Sequence, residues 1–289
     1  MSLSIPEGSV YGFIGPNGSG KSTTMRMIAN IFYPDSGTIR VFGRERVGTR
    51  SAEIGYLPEE RGVYRKMRVR ALLEFHGELR GGRNVTAEVG AWLERLDLAD
   101  WADQKVEALS KGMSQKVQFI AAVIPEPKLL ILDEPFTGLD PVSGDSIRGA
   151  VLEMRRRGCT VILSTHDMGV AESLCDSIFM IFKGRKVLDG TLASIQTSYG
   201  SDTIRVELAR GELGELPGIV QVRDLGKVQE LRMSESCDPQ QVLHALAARA
   251  QITSFSVVKP SLHDIFVRIA GPSSAPDTLV PDMEEASLA

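Results

Sequence analysis

The chain has 289 residues, a formal net charge of -4, and 43% hydrophobic and 24% charged residues. That balance suits one large globular domain plus a smaller one; it excludes a disordered chain and argues against a dedicated nucleic-acid binder, which concentrates Lys and Arg. Cys159, Cys175 and Cys237 are odd in number and far apart, so no disulfide framework or zinc site is indicated and a reducing compartment fits; neither a signal peptide nor a run of about 18 apolar residues is present.

Short β-like runs at 3–5 and 10–14 open the chain. The second leads into Gly15-Pro16-Asn17-Gly18-Ser19-Gly20-Lys21-Ser22, which fits G-x-x-x-x-G-K-[ST] at every fixed position, and Thr23 begins a helix-like run at 23–31. Glycines let the backbone approach an anion without a Cβ in the way, so successive N–H groups and the helix N-terminus point at phosphate oxygens. Lys21 then reaches the β/γ-phosphates and Ser22 offers its hydroxyl to Mg2+. Residues 15–23 therefore read as a nucleotide grip.

Further β-like runs lie at 38–42 and 54–57. Polar amphipathic helices are expected at 69–80, with Leu72, Phe75 and Leu79 on one apolar face, and at 87–96, with Val89, Trp92, Leu93 and Leu96. A third helix at 114–124 completes an insert spanning about 66–124. The apolar strand 129–132, a helix at 143–157 and the strand 161–163 follow, then a hairpin (178–182 and 186–188) and a helix at 192–199 that closes the first domain. Apolar strands alternating with helices indicate a buried, mainly parallel sheet. Residues 199–202 read as a boundary. Beyond it come β-like runs at 204–208, 219–223 and 227–233, a helix opened by Asp238 and Pro239, a strand at 252–258 and a helix at 262–269, a small α+β domain over 200–270. The tail 271–289 has the composition of a disordered segment.

Four constellations follow the grip. The strand 129–132 ends in Asp133-Glu134-Pro135, placing two acids at the carboxyl end of a buried strand, where open α/β sheets hold ligands. Asp133 suits support of Mg2+, and Glu134 suits orientation or deprotonation of a water attacking the γ-phosphate. Phe136-Thr137-Gly138-Leu139-Asp140 comes next, and Ser164-Thr165-His166 ends the neighbouring apolar strand. Parallel neighbours end on the same side, so His166 is expected near the γ-phosphate; His76, His244 and His263 have no such context and read as structural. At Leu109-Ser110-Lys111-Gly112-Met113 a polar turn opens a helix, creating a second helix N-terminus suited to an anion.

In this order and at these intervals, the motifs resemble the nucleotide-binding subunit of an ATP-binding cassette (ABC) transporter over nearly all of 1–199. Residues 203–270 resemble the small C-terminal domain of some ATPase subunits of bacterial ABC-2-type exporters. The resemblance implies an α/β P-loop ABC cassette with a mainly parallel sheet, an antiparallel β subdomain and a helical insert, followed by the small α+β domain. It implies an ATPase with ATP and Mg2+, Ser22 and Asp133 holding the metal, and Glu134 and His166 in catalysis. Two cassettes, a homodimer or a pair of paralogues, would associate head to tail, with Ser110, Lys111 and Gly112 closing over the partner's ATP and Asp140 at the junction. The motion would pass through 56–64 and the insert to a membrane-spanning subunit, placing the chain on the cytoplasmic face of the plasma membrane without nucleic acid. A non-transport cassette ATPase of translation or DNA repair, or an inactive assembly subunit, are the alternatives.

Three departures stand out. Glu59 takes the place of the usual Gln after the strand 54–57, adding negative charge near Mg2+. Lys111 and Met113 replace the usual Gly and Gln of the signature, so the γ-phosphate contact is expected to survive and the ribose-side contact to change. The family's first N-terminal strand, with its adenine-stacking aromatic, would precede this chain's start; either ATP binding is weaker by about tenfold or more, or the natural start lies upstream.

Overall fold

Runs such as 10–14 and 129–133 are apolar at nearly every position, the pattern of strands buried on both faces, and they pair as such a pattern requires. The computed structural model describes residues 2–45, 52–60, 62, 64–200, 202–234 and 236–270. Ser201, within the expected boundary, and the tail 271–289 lie outside the described residues. The chain divides into two compact units, Met1–Leu192 and Ala193–Ala289.

The first unit runs β1 (Val10–Ile14), α1 (Lys21–Ile28), β2 (Arg40–Val41), β3 (Arg44–Glu45), β4 (Ile54–Leu57), α2 (Val69–Leu79), α3 (Val85–Arg95), α4 (Lys111–Val123), β5 (Leu129–Asp133), α5 (Pro141–Arg156), β6 (Thr160–Thr165), α6 (Met168–Leu174), β7 (Ser177–Phe182) and β8 (Arg185–Thr191). Six of these strands form one sheet in the order β4-β5-β6-β1-β7-β8. Pairing is parallel from β4 to β7, and β8 closes the sheet antiparallel to β7. The carboxyl ends of β1, β5 and β6 therefore share one rim.

Side chains alternate across the sheet. Tyr11, Phe13, Ile131, Ile162 and Phe179 share a core with Met25 and Ile28 of α1. On the other face a Cβ at Gly12 would lie 2.8 Å from the Cys175 sulfur. Cys159 and Cys175 are buried free thiols, pushed up to about 12 by burial, and behave as apolar core.

Helix α3 buries Val89, Trp92, Leu93 and Leu96, as its spacing predicts. Helix α2 does not follow its predicted stripe: it buries Val69, Leu72 and Leu73, while Phe75 and Leu79 are 43% and 70% exposed. Two overlapping apolar stripes exist on this helix, and the insert covers the one through 69, 72 and 73. Lys116 of α4 is buried and donates to the Leu96 carbonyl at 3.1 Å, at the end of α3 where the helix dipole favours a cation.

Other expectations are corrected. Residues 3–5 join no ladder among the described residues, although Leu3 and Ile5 pack on the core; their alternation supplies an apolar face without a strand to pair with. The run 38–42 contracts to β2 because Phe42 and Gly43, with φ of 51° and 72°, form the tight turn into β3. Helix α6 had no forecast. Its seven residues carry little periodicity, and it is opened by Asp167, which accepts from the Gly169 and Val170 N–H groups at 2.9 and 3.1 Å.

The second unit contains α7 (Leu192–Ser198), β9 (Thr203–Arg210), β10 (Ile219–Asp224), β11 (Val228–Met233), α8 (Pro239–Ala247), β12 (Gln251–Val258) and α9 (Leu262–Ala270). Its four-stranded sheet, β10-β11-β9-β12, is antiparallel throughout. Val242 and Leu246 of α8 pack on Ile204, Val206 and Leu231, and Asp238 caps the helix by accepting from Gln240 N–H at 2.9 Å. At the start of α9, Ser261 and Asp264 cap each other's backbone N–H groups at 3.0 and 3.1 Å. Helix α7, expected to close the first domain, groups with this unit from its second residue; Gln196 donates to the Pro260 carbonyl at 3.3 Å.

Candidate nucleotide-binding site

The loop after β1 needs its glycines. A Cβ at Gly15 would run into the Ile181 carbonyl oxygen, and Gly18 and Gly20 have φ of 78° and 106°, open to glycine without strain. Gly20 is the N-cap of α1, so the orphan N–H groups of the first helical turn face the loop. Asn17 is exposed at the loop's tip and Pro16 is half-buried before it. Lys21 is only 5% exposed and folds back over the loop, donating to the Gly15 and Pro16 carbonyls at 2.7 and 3.2 Å. The Ser19 hydroxyl is buried without a hydrogen-bond partner among the described residues. Thr23 is exposed on α1, and it is the buried Thr24 that donates back to the Gly20 carbonyl at 3.0 Å.

The acids of the β5 rim meet this loop. Asp133 is fully buried; its Oδ1 accepts from Ser22 at 3.1 Å and from Ser164 at 2.5 Å, while its Oδ2 is buried without a partner among the described residues. The adjacent Glu134 is 7% exposed and has φ of 50°, a left-handed conformation that costs a non-glycine residue about 1–3 kcal/mol. That turn brings its carboxylate 3.7 Å from Lys21 Nζ and 3.0 Å from His166 Nδ1, and Thr137 donates to its Oε2 at 3.0 Å. Lys21, Ser22, Asp133, Glu134 and His166 therefore form one cluster. An unpartnered buried carboxylate oxygen beside a serine hydroxyl is a donor set suited to a hard divalent cation. The sequence places Ser164 and Thr137 inside these motifs but assigns no role to them or to Thr24, because a hydroxyl gains such a role only from what it faces.

The signature residues form a second cluster. Ser110 is the N-cap of α4 and accepts from the Met113 N–H at 3.2 Å. A Cβ at Gly112 would meet Ser143 Oγ at 2.5 Å and Asp140 Oδ2 at 3.3 Å, and the Lys111 side chain lies on Gly138, where a Cβ would collide with its ammonium. Asp140 caps α5 by accepting from the Ser143 N–H at 2.9 Å, a bond that holds its carboxyl below its ordinary value. No hydrogen bond or ion pair joins this cluster to the first among the described residues. Glu59 is exposed after β4; Asp133 and Glu59 both lie close enough to Tyr56 to add to burial in raising the tyrosine hydroxyl. Arg61 and Val63, within the expected transmission segment 56–64, lie outside the described residues.

A separate groove of about 540 Å³ in the same unit is lined by Ile31, Tyr56, Leu57, Leu79, Arg80 and Gln118, among others. Exposed Tyr64, Phe75 and Leu79 add apolar surface on and near the insert. No helix among the described residues is long and apolar enough to cross a membrane.

Comparison with known proteins fits this geometry. Residues 1–137 match the ABC transporter family, and residues 190–270 match the C-terminal domain of DrrA1-3-like ATP-binding proteins. The chain is 39% identical over 276 residues to the uncharacterized ABC transporter ATP-binding protein YhaQ of Bacillus subtilis (strain 168), covering 94% of this chain and 92% of YhaQ. It is 35% identical over 280 residues to the Nod factor export ATP-binding protein I of Rhizobium sp. (strain N33), covering 94% and 91%. A solved structure of the ATP binding subunit of an ABC transporter superposes with a TM-score of 0.62 at 30% identity, covering 68% of this chain and 85% of that one. ABC ATP-binding subunits work with membrane subunits in transporter complexes. The chain belongs to the ABC transporter family, as an ATP-binding ATPase subunit with a DrrA1-3-like C-terminal domain.

Proposed function

We propose that this chain hydrolyses ATP to drive export through a separate membrane subunit, and that each ATP is held between two cassettes. The observation that carries this reading is the split of the site: the phosphate loop and acid cluster on one side, and on the other the signature residues Ser110, Lys111 and Gly112, with Gly112 against Asp140 and Ser143 and Lys111 over Gly138. Nucleotide bound by residues 15–23 of one cassette is closed over by the signature helix of a second copy or a paralogue. Lys21 exchanges its loop carbonyls for phosphate oxygens. Glu134 accepts a proton from the attacking water, and His166 Nδ1 holds the carboxylate in place; its tautomer follows from that contact. Ser22 and Asp133 would hold Mg2+, which, when bound, supplies charge neutralisation between the phosphates.

Export is supported by the relative that acts in Nod factor export. The groove beside the insert, with its exposed apolar surroundings, suits a segment of the membrane subunit, which would hold the chain at the cytoplasmic face of the plasma membrane. The test is a Glu134→Gln chain with ATP. Retained ATP binding, lost hydrolysis and a doubling of mass in solution are expected. Undiminished hydrolysis would remove Glu134 from its role, and a monomer at saturating ATP would overturn the pairing of two copies.

A further inference from the structure

We propose that Ser164 is the positioning residue that sets the two acids of the hydrolytic cluster in register with each other. It rests on the reading of Glu134 as the hydrolytic carboxylate. Neighbouring residues of an extended strand point to opposite faces, so Asp133 and Glu134 would diverge if β5 simply continued. They do not diverge, because Glu134 leaves the strand with φ of 50°. One side chain touches both acids at this corner. Ser164 lies opposite Asp133 in the β5–β6 register, is fully buried, and its Oγ is 2.5 Å from Asp133 Oδ1 and 2.9 Å from the Glu134 backbone nitrogen.

The direction of this relay is fixed by chemistry. The Glu134 N–H can only donate and the Asp133 carboxylate can only accept, so the single hydroxyl proton of Ser164 goes to Asp133 while its lone pair takes the N–H. Two consequences follow. Asp133 Oδ1 is occupied by Ser164 and Ser22, which leaves Oδ2 as the oxygen that would take a cation. The turned backbone of Glu134 has its N–H satisfied, which keeps the carboxylate beside Lys21 and His166. Ser164 touches neither nucleotide nor water in this scheme and acts through both acids.

The test compares Ser164→Ala, the nearly isosteric Ser164→Cys and the hydroxyl-retaining Ser164→Thr with the wild-type chain and Glu134→Gln. Misplacement of the acids by a fraction of an ångström predicts a fall of about 10- to 100-fold in kcat for Ala and Cys, with KM for ATP changed less than about threefold and kcat recovered in Thr. Binding of a fluorescent ATP analogue is expected to be unchanged without Mg2+ and to need several-fold more Mg2+ for the same gain in affinity. A kcat within threefold of wild type in both Ala and Cys overturns the proposal, as does weakened analogue binding in the absence of Mg2+. If Glu134→Gln itself hydrolyses ATP normally, the hydrolytic reading fails instead. Should Ala misfold, Cys, which keeps the volume and loses the strong donor, decides the matter.

Discussion

Both units bury charged groups against a sheet and leave them in opposite states. In the first, Lys21, Asp133 and Glu134 gather at the carboxyl rim of parallel strands, and Asp133 Oδ2 and Ser19 Oγ are buried without partners among the described residues. In the second, Glu230 takes Arg205 at 2.8 Å, Asp202 takes both terminal nitrogens of Arg268 at 2.9 Å, and Asp264 takes Arg223 at 2.9 Å. An unsatisfied buried polar atom costs about 1–3 kcal/mol, and at the phosphate loop a bound ligand would offset that cost; the second unit also leaves Gln229 Oε1 unpaired, but its charged groups are paired and clasp its elements together. Topology underlies the difference. Parallel strands present one common rim, whereas antiparallel ends alternate, so the second unit's charges gather across a sheet face and against α9.

Substitutions can break this contrast. Lys21→Met removes the cation of the incomplete cluster; ATP affinity measured by calorimetry is expected to fall about 10- to 100-fold, the worth of hydrogen bonds to a charged phosphate. Arg268→Leu opens the clasp and keeps most of the side-chain volume; the second unit is expected to lose about 1–2 kcal/mol in denaturant unfolding while ATP affinity is unchanged. Gly112→Ala presses on Ser143 and Asp140, and about 1 kcal/mol of stability should go with it, together with ATP-dependent pairing read by light scattering.

The smallest effect is on pH. Burial raises the Asp202 carboxyl, but the Arg268 and Thr203 hydrogen bonds outweigh it and hold the group below its ordinary 3.8. A depressed carboxyl stabilises the fold above the unfolded value and loses that contribution as pH falls through the folded one. Hydrogen exchange in α9 should therefore quicken only below about pH 4, and Asp202→Asn should flatten that dependence. Quickening already at pH 6 would remove Asp202 from the clasp.

Legibility followed the range of each interaction. Helix α3 was readable because Val89, Trp92, Leu93 and Leu96 are the only apolar stripe on it, whereas α2 carries two and its burial depends on which one the insert covers. The strands β1 and β4 were readable to the residue because burial on both faces makes them continuously apolar. Residues 3–5 had the alternation but found no ladder among the described residues, and α7 had its helix but joined the unit that offers the Pro260 carbonyl.

From the sequence alone came the phosphate loop, the acids after β5 and His166, because glycine freedom, a lysine beside a helix start and acids after an apolar strand are local features whose chemistry follows from neighbours in the chain. The tertiary structure alone decided which hydroxyls serve those acids. Ser164 lies 31 residues from Asp133 and meets it through strand register, and Glu134 reaches Lys21 through a backbone turn that no residue type announces. Register and φ are set by packing of the whole sheet.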